Sequence, residues 1–246
     1  MEKHQRLIVI NKKINITRET KRSVGYGGIL LLPLLLSACS GSPTPNYYSL
    51  TPQVTPLVSS SVRVIEVLPV GLPDRLSRSP LVIQETNGQS KVLDNERWTS
   101  TFDAELRDGL SAGLQQKLGA VDRYSSGMTG GKVSYRIATD FSRFDIVKQA
   151  DRGNLDIDVV VAWIIKRDDP TKALMLPSNV SQTSDWSRQL SCRMAFQQKV
   201  NKGGHETREI VRASSLALNQ VVEAISASVV ASESKTSVAM QGVICS

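Results

Sequence analysis

An uninterrupted alternation of apolar residues from Leu155 to Ile165 is the feature that most constrains the fold of this 246-residue chain. Every second position is large and apolar, which is the pattern of a β-strand with one buried face. A strand of this length needs neighbouring strands and a second layer that covers its apolar face. The intervening positions change from polar to apolar along the strand, so we expect its second half to be covered on both faces. These later positions are Val160, Ala162 and Ile164.

Further strands and two helices are predicted around this strand. Alternation predicts strands over 62–67, 133–146 and 190–196, with a bulge near Phe141 where the apolar phase changes. The pair Asn87-Gly88 between two apolar runs predicts a hairpin. Apolar residues at every fourth position predict a helix up to Leu118, capped by Thr99 or Ser100 and ended by Gly119, and a second helix over 206–231. The chain should form one α/β (α+β) domain, with two main helices packed on a mixed, largely antiparallel sheet.

The amino-terminal segment has the composition of a secretory signal that ends at a cysteine. Lys21 and Arg22 precede an apolar run over 29–36, which is shorter than the roughly 20 residues that cross a bilayer as a helix. The order Leu36-Ser37-Ala38-Cys39 resembles the lipobox of bacterial lipoproteins. That resemblance implies that residues 1–38 are a signal peptide and that the Cys39 thiol is acylated. Ser40, which follows the cysteine, favours the outer membrane by the same resemblance.

The chain after the signal divides by composition into three parts. Residues 39–61 are rich in Ser, Pro and Thr and predict a flexible tether that carries the acylated cysteine. Tyr47 and Tyr48 form an apolar island in this tether that could dock as an edge strand. Residues 62–231 form the predicted domain, and residues 232–246 a polar carboxy-terminal tail.

Removal of the signal also removes most of the positive charge. The whole chain carries a net charge of +7. Residues 1–38 contain seven of its 30 Lys and Arg residues and two of its 23 acidic residues, which leaves +2 for the remainder. The basic isoelectric point therefore does not indicate nucleic-acid binding.

The sequence offers little catalytic chemistry. Residues 109–113 match the G-x-S-x-G pattern of α/β-hydrolases, but Ser111 lies inside a predicted helix rather than at a strand-to-helix turn. Gly109 and Gly113 are better explained as small residues that let the helix lie close to the sheet. His205 is the one histidine left after the signal, so a hydrolase triad and an ordinary zinc site are both disfavoured. We expect no cofactor, no metal and no enzymatic activity.

Four aromatic residues and two cysteines are candidates for other roles. Trp98 either packs over the start of the first helix or contacts a partner, and Trp186 lies in a polar stretch where it could contact a partner. Tyr47 and Tyr48 are further candidates for partner contact. Cys192 and Cys245 remain after acylation of Cys39, and an oxidising periplasm would permit a bridge between them, although the sequence leaves open whether they come within reach.

Several segments together resemble the PqiC-type (YmbA-like) lipoproteins, which are auxiliary lipoproteins of ABC-type and MCE-type transport systems. They are the lipobox, Tyr47-Tyr48-Ser49-Leu50, "VRVIEVLPVGLPDRLSRSPLVIQ", "NERWTSTFDAELRDGLSAGLQQKLG", "DFSRFD" and "SSLALNQVVEAIS". The resemblance covers about residues 46–231. The long leader, residues 177–188 and the tail with Cys245 depart from the family pattern.

The resemblance implies a non-enzymatic lipoprotein on the periplasmic face of the outer membrane. Its implied partners are a tunnel-forming MCE protein of the paraquat-inducible type and the inner-membrane partner of that protein, in a system that moves lipid and supports membrane integrity. A homo-oligomeric ring is also implied. Two alternatives stay open: a periplasmic carrier of lipid or another ligand, and an assembly lipoprotein of a secretion apparatus.

Overall fold

A mixed sheet of nine strands forms one layer of the part of the chain that is described. The structure is a computed structural model that describes residues 43–58, 60–126, 133–150, 153–169 and 189–246. The strand order is β1-β4-β3-β6-β7-β8-β9, and β2 pairs with β5 and β6 beside this path. The strands are β1 Asn46–Tyr48, β2 Val64–Val67, β3 Pro80–Gln84, β4 Ser90–Trp98, β5 Val121–Asp122, β6 Ser134–Lys148, β7 Leu155–Asp168, β8 Gln189–Lys199 and β9 Val243–Cys245.

Two long helices supply the second layer, as the sequence predicts. They are α1, Phe102–Leu118, and α3, Glu206–Ser234; a single turn, α2, spans Arg123–Ser126. Gly119 ends α1 in the left-handed conformation, with φ of 63°, which a glycine adopts without steric cost. The predicted caps of α1 are wrong, because the helix begins after Thr101, and the hydroxyls of Thr99 and Ser100 donate to the Glu105 carboxylate instead.

The long alternating segment is the centre of the sheet. β7 is antiparallel to both β6 and β8, and the β6–β7 register shifts between Phe141 and Arg143, which confirms the predicted bulge. The alternate side chains of β7 are buried in one core with both long helices. They are Ile157, Val159, Val161, Trp163 and Ile165, each at most 1% exposed.

The opposite face of β7 is uncovered, contrary to our expectation. Ala162 and Ile164 are exposed and Val160 is half-buried. The reason is that α1 and α3 both pack on the other side of the sheet, where their buried residues share one core with the inward-facing strand residues. The prediction of burial on both faces is therefore wrong.

The segment predicted to be a tether is largely packed on the domain. β1 pairs with β4 in parallel, and Leu50 and Val54 are buried in the core. The Asn219 side chain accepts a hydrogen bond from the Gln53 N–H and donates one to the Gln53 carbonyl. Both backbone polar groups of Gln53 are therefore hydrogen-bonded although this residue is not in a strand. The compact unit runs from Thr44 to Ser246, and the predicted tether over 39–61 is thus too long.

The carboxy-terminal residues are also built into the fold. α3 continues to Ser234, and β9 pairs with β8 at the edge of the sheet. A disulfide joins Cys192 of β8 to Cys245 of β9. Residues 232–246 are therefore not simply a polar tail.

By length and composition α3 could cross a membrane, but 61% of its most apolar window is buried inside the fold. Its buried stripe faces the sheet and α1, with Ile210, Leu218, Val222 and Ile225 in the shared core. We therefore describe α3 as the central core helix of this domain.

Candidate functional site

Ser111 belongs to a buried structural network rather than to a catalytic triad. Its hydroxyl donates a 2.6 Å hydrogen bond to the Asp122 carboxylate. The same carboxylate accepts the N–H groups of Val67 and Tyr124 and forms a 3.0 Å ion pair with Arg107. A nucleophilic serine needs a base that accepts its proton, whereas this hydroxyl holds α1 against β2 and β5.

The two glycines around Ser111 serve helix packing, but against a different neighbour than expected. A Cβ atom on Gly109 would lie 2.5 Å from Leu218, and one on Gly113 would lie 2.7 Å from Val222. Both neighbours are on α3, so the glycines permit close contact between the two helices rather than between a helix and the sheet. The expectation of a helix-to-sheet contact is wrong.

Two carboxylates of β7 lie next to cations. Asp158 pairs with Arg143 at 3.1 Å, and Asp168 pairs with Arg123 at 3.2 Å. Among the described residues no group of three or more His, Cys, Asp or Glu side chains is arranged to hold a metal ion.

The predicted aromatic contacts fall into different environments. Trp98 is only 3% exposed and stacks on Phe102 with ring centroids 5.0 Å apart. Of its two expected roles it therefore has the packing role over the start of α1, and it is not available for partner contact. Tyr48 is half-buried and donates a 2.6 Å hydrogen bond to Glu96. Tyr47 is 59% exposed at the β1 edge. Cys39 and Trp186 lie outside the described residues.

The uncovered side of the sheet is the candidate interaction surface, which we call the open face. The strand register places apolar residues side by side in two pairs, Ala138 with Ile164 and Val160 with Ala195. Ala162 lies between Asp140 and Arg193, and Arg193 lies between Ala162 and Ile244. Ile164 on β7 is 40% exposed, and Ile244 on β9, with β8 between the two strands, is 62% exposed. The open face comprises Ala138, Val160, Ala162, Ile164, Ala195 and Ile244.

Charged residues lie among and beside the apolar residues of the open face, with Asp140 and Arg193 on either side of Ala162. Lys166 and Arg193 lie on it by strand register, and both are exposed. Arg136 lies on it opposite Lys166 and pairs with Glu66 at 3.0 Å. The hydrogen bond that Arg136 donates to Glu66, together with the negative charge of Glu66, raises the pKa of Arg136. An apolar centre with a charged border is the usual anatomy of a protein–protein interface.

Sequence reasoning missed this surface because alternation reports only which residues share a face. A strand with apolar residues on both faces can lie between two packed layers of the same domain, or it can present one face to a partner. The two cases have the same local sequence pattern. The available signal was the change to apolar residues at Val160, Ala162 and Ile164 beside the small residue Ala195 on the next strand.

A cleft of about 660 Å³ lies where residues 57–61 pass the end of α1. Leu57, Val58 and Leu118 contribute apolar walls, and Ser60, Ser61 and Arg63 contribute polar ones. A lipid acyl chain prefers a continuous apolar cavity, so the mixed lining of this cleft suits such a ligand poorly.

Comparison with known proteins bears on the fold and the family. Residues 48–226 match the model of a family described as ABC-type transport auxiliary lipoprotein component. No curated protein matches the chain. The crystal structure of an uncharacterized protein is similar with a TM-score of 0.52 and 19% identity, over 76% of this chain and 99% of that one. A crystal structure of a protein from Xanthomonas campestris is similar with a TM-score of 0.53 and 12% identity, over 77% of this chain and 98% of that one. These two likenesses support the fold alone.

Proposed function

The chain belongs to the family of ABC-type transport auxiliary lipoprotein components, and from this we propose that it is a non-enzymatic outer-membrane subunit of an envelope-spanning MCE transport system of the paraquat-inducible type. In this role it would be anchored through acylated Cys39 on the periplasmic side and would support lipid movement and membrane integrity. Family membership confirms the resemblance noted in the sequence.

The open face is the observation that carries the partner-binding part of this proposal. A subunit of a transport assembly needs a surface that excludes water on contact, and the apolar centre around Ile164 and Ala162 provides one. The same face carries Lys166 and Arg193, the acid Asp140, and Arg136 paired with Glu66, so the complementary surface of an MCE-type tunnel protein should present acidic groups opposite Lys166 and Arg193. Copies of the chain arranged as a ring at the tunnel end would bring several such faces together.

Crosslinking in native envelopes tests this proposal. We expect the wild-type protein to capture an MCE protein, and Ile164→Arg to lose most of that capture because the new charge would be desolvated in the contact. Leu216→Arg on α3 is the matched control, since Leu216 and Ile164 are both 40% exposed. Failure of the wild type to recover any MCE protein, under conditions that retain other envelope complexes, would overturn the assignment.

A ligand-carrying lipoprotein is the alternative with a structural feature to test. The cleft beside Leu57 and Leu118 is the place where a ligand would have to bind. Native mass spectrometry of the protein after a delipidating purification distinguishes the two functions. Retention of a lipid would favour the carrier, and an unliganded mass would favour the transport subunit.

A further inference from the structure

The chain between the acylation site and the fold is short. Asn46 is the first residue of β1, and it follows Cys39 by seven residues. Seven extended residues span at most about 25 Å. A tether that ended at residue 61 would span about 75 Å, so the docking of β1 shortens the reach of the domain by about two thirds.

The direction of β1 shows which way the chain enters the domain. β1 is parallel to β4 and pairs with its last residues, from Glu96 to Trp98. β4 starts at Ser90, immediately after the turn that contains Asn87 and Gly88. The chain before Asn46 therefore points back towards this hairpin turn. From Asn46 to the level of Ser90 is six residues of strand, or about 20 Å, which uses most of the available length.

The edge of the sheet around β1 suits a lipid headgroup layer better than another strand. β1 has three residues and is preceded by Pro43 and Pro45, which cannot donate backbone hydrogen bonds to an added strand. Tyr47 on this edge strand is 59% exposed. Tyrosine is enriched where membranes meet water, because its ring is apolar and its hydroxyl is polar. Val92 on the neighbouring strand β4 is 38% exposed as well.

We propose that the edge formed by β1 and β4 rests on the lipid surface, with Tyr47 at the level of the headgroups. This inference rests on the acylation of Cys39 in the proposed function. It orients the whole domain, because β8 lies five strand spacings from β1 in the sheet order, which is about 24 Å at 4.8 Å per spacing. The open face then stands roughly perpendicular to the membrane and is accessible to a partner from the side.

Depth-dependent fluorescence quenching tests the orientation. The full-length lipidated protein is reconstituted in vesicles of phosphatidylethanolamine and phosphatidylglycerol, with an environment-sensitive probe at Tyr47→Cys or at Ala195→Cys on β8. Both positions are exposed, and the disulfide between Cys192 and Cys245 leaves those thiols unavailable for labelling. Lipids with a quencher near the headgroup should quench the Tyr47 probe several-fold more than the Ala195 probe.

The outcomes separate this inference from the proposed function. Equal quenching at both positions, or stronger quenching at Ala195, in protein that floats with the vesicles would overturn the orientation while leaving the anchor in place. It would indicate that the β1 edge faces a protein or solvent. If the wild-type protein does not float with the vesicles, the acylation of Cys39 is overturned and this inference with it. Cys39→Ser is the control that we expect not to float. Stronger quenching at Tyr47 than at Ala195, in protein that floats, supports both the orientation and the acylation of Cys39.

Discussion

At the scale of single residues, Gly113 controls how closely the two long helices can approach. A Cβ atom there would lie 2.7 Å from Val222 and 3.3 Å from Pro52. The added atoms would therefore strain both α3 and the docked amino-terminal segment. Glycine at this position lowers the intrinsic stability of α1 by about 1 kcal/mol relative to alanine, and the close packing of the helices offsets that cost.

We expect Gly113→Val to destabilise the domain by about 1–3 kcal/mol, the usual effect of overpacking a core. Ala112→Val is the matched control, because Ala112 is exposed on the same helix and the substitution changes only helix propensity, by less than about 0.7 kcal/mol. Urea denaturation of both variants measures the difference. Equal stability of the two variants would show that α1 and α3 can separate at no cost, contrary to the contacts described.

The residue scale also shows where sequence reasoning fails. The spacing of Gly109 and Gly113 correctly predicts a close contact on one face of α1, since two small residues four positions apart share a face. It does not identify the neighbour, because a helix can bring the same face against a sheet or against another helix. Ser111 is similar: its motif suggests a nucleophile, and only the position of Asp122 assigns it to a buried network.

At the scale of secondary-structure elements, β1 is held by a hydrogen bond that depends on pH. The Tyr48 hydroxyl donates to the Glu96 carboxylate, and the Asn46 amide donates to the same group. The hydrogen bond from Tyr48 is the main cause that lowers the pKa of Glu96 below its ordinary value. The folded state therefore favours the charged form of the Glu96 carboxylate. The contribution of this hydrogen bond to the docking of β1 is complete above the ordinary pKa of a glutamate, and it is lost as the pH falls through the lowered pKa of Glu96.

We expect the protection of the β1 amides against hydrogen exchange, corrected for intrinsic rates, to fall between pH 6 and about pH 3. Tyr48→Phe should lower protection at pH 6 and make it less dependent on pH, since the donor to Glu96 is gone. Tyr124→Phe is the control, because Tyr124 is 47% exposed on α2 and away from β1. An identical pH dependence in Tyr48→Phe and in the wild type would contradict this role of the hydrogen bond.

The elements with a strong period were predictable, and the docked termini were predictable only in part. Alternation identified β6, β7 and β8, and the fourfold spacing identified α1 and α3, because burial of one face imposes those periods. β1 lies among Pro, Ser and Thr residues, whose composition resembles that of a linker. The apolar pair Tyr47 and Tyr48 indicated an edge strand, and β1 is one. No local pattern identifies the distant groups that hold this segment, which are Glu96 for β1 and Asn219 for Gln53.

The whole molecule combines two surfaces at nearly right angles: the β1 edge and the open face. In the proposed orientation a short connection to acylated Cys39 would fix the first, and the second would be left for a partner. One exposed tyrosine buries too little surface to hold a domain on a membrane alone. The orientation should therefore depend chiefly on the length of chain between Cys39 and Asn46.

Insertion of about 20 Gly and Ser residues after Gly41 should weaken this orientation, because the effective concentration of a tethered group falls roughly as the −3/2 power of tether length. From seven residues to about 27, this gives a decrease of about eightfold. In the lipidated protein we expect the quenching of a Tyr47→Cys probe to fall towards that of the Ala195→Cys probe, while flotation with vesicles stays unchanged. The same insertion placed after Ser246 is the control for added length, and it should leave both probes as they were. Undiminished quenching at Tyr47 in the lengthened protein would mean that the β1 edge has its own affinity for lipid, and that the short tether is not what orients the domain.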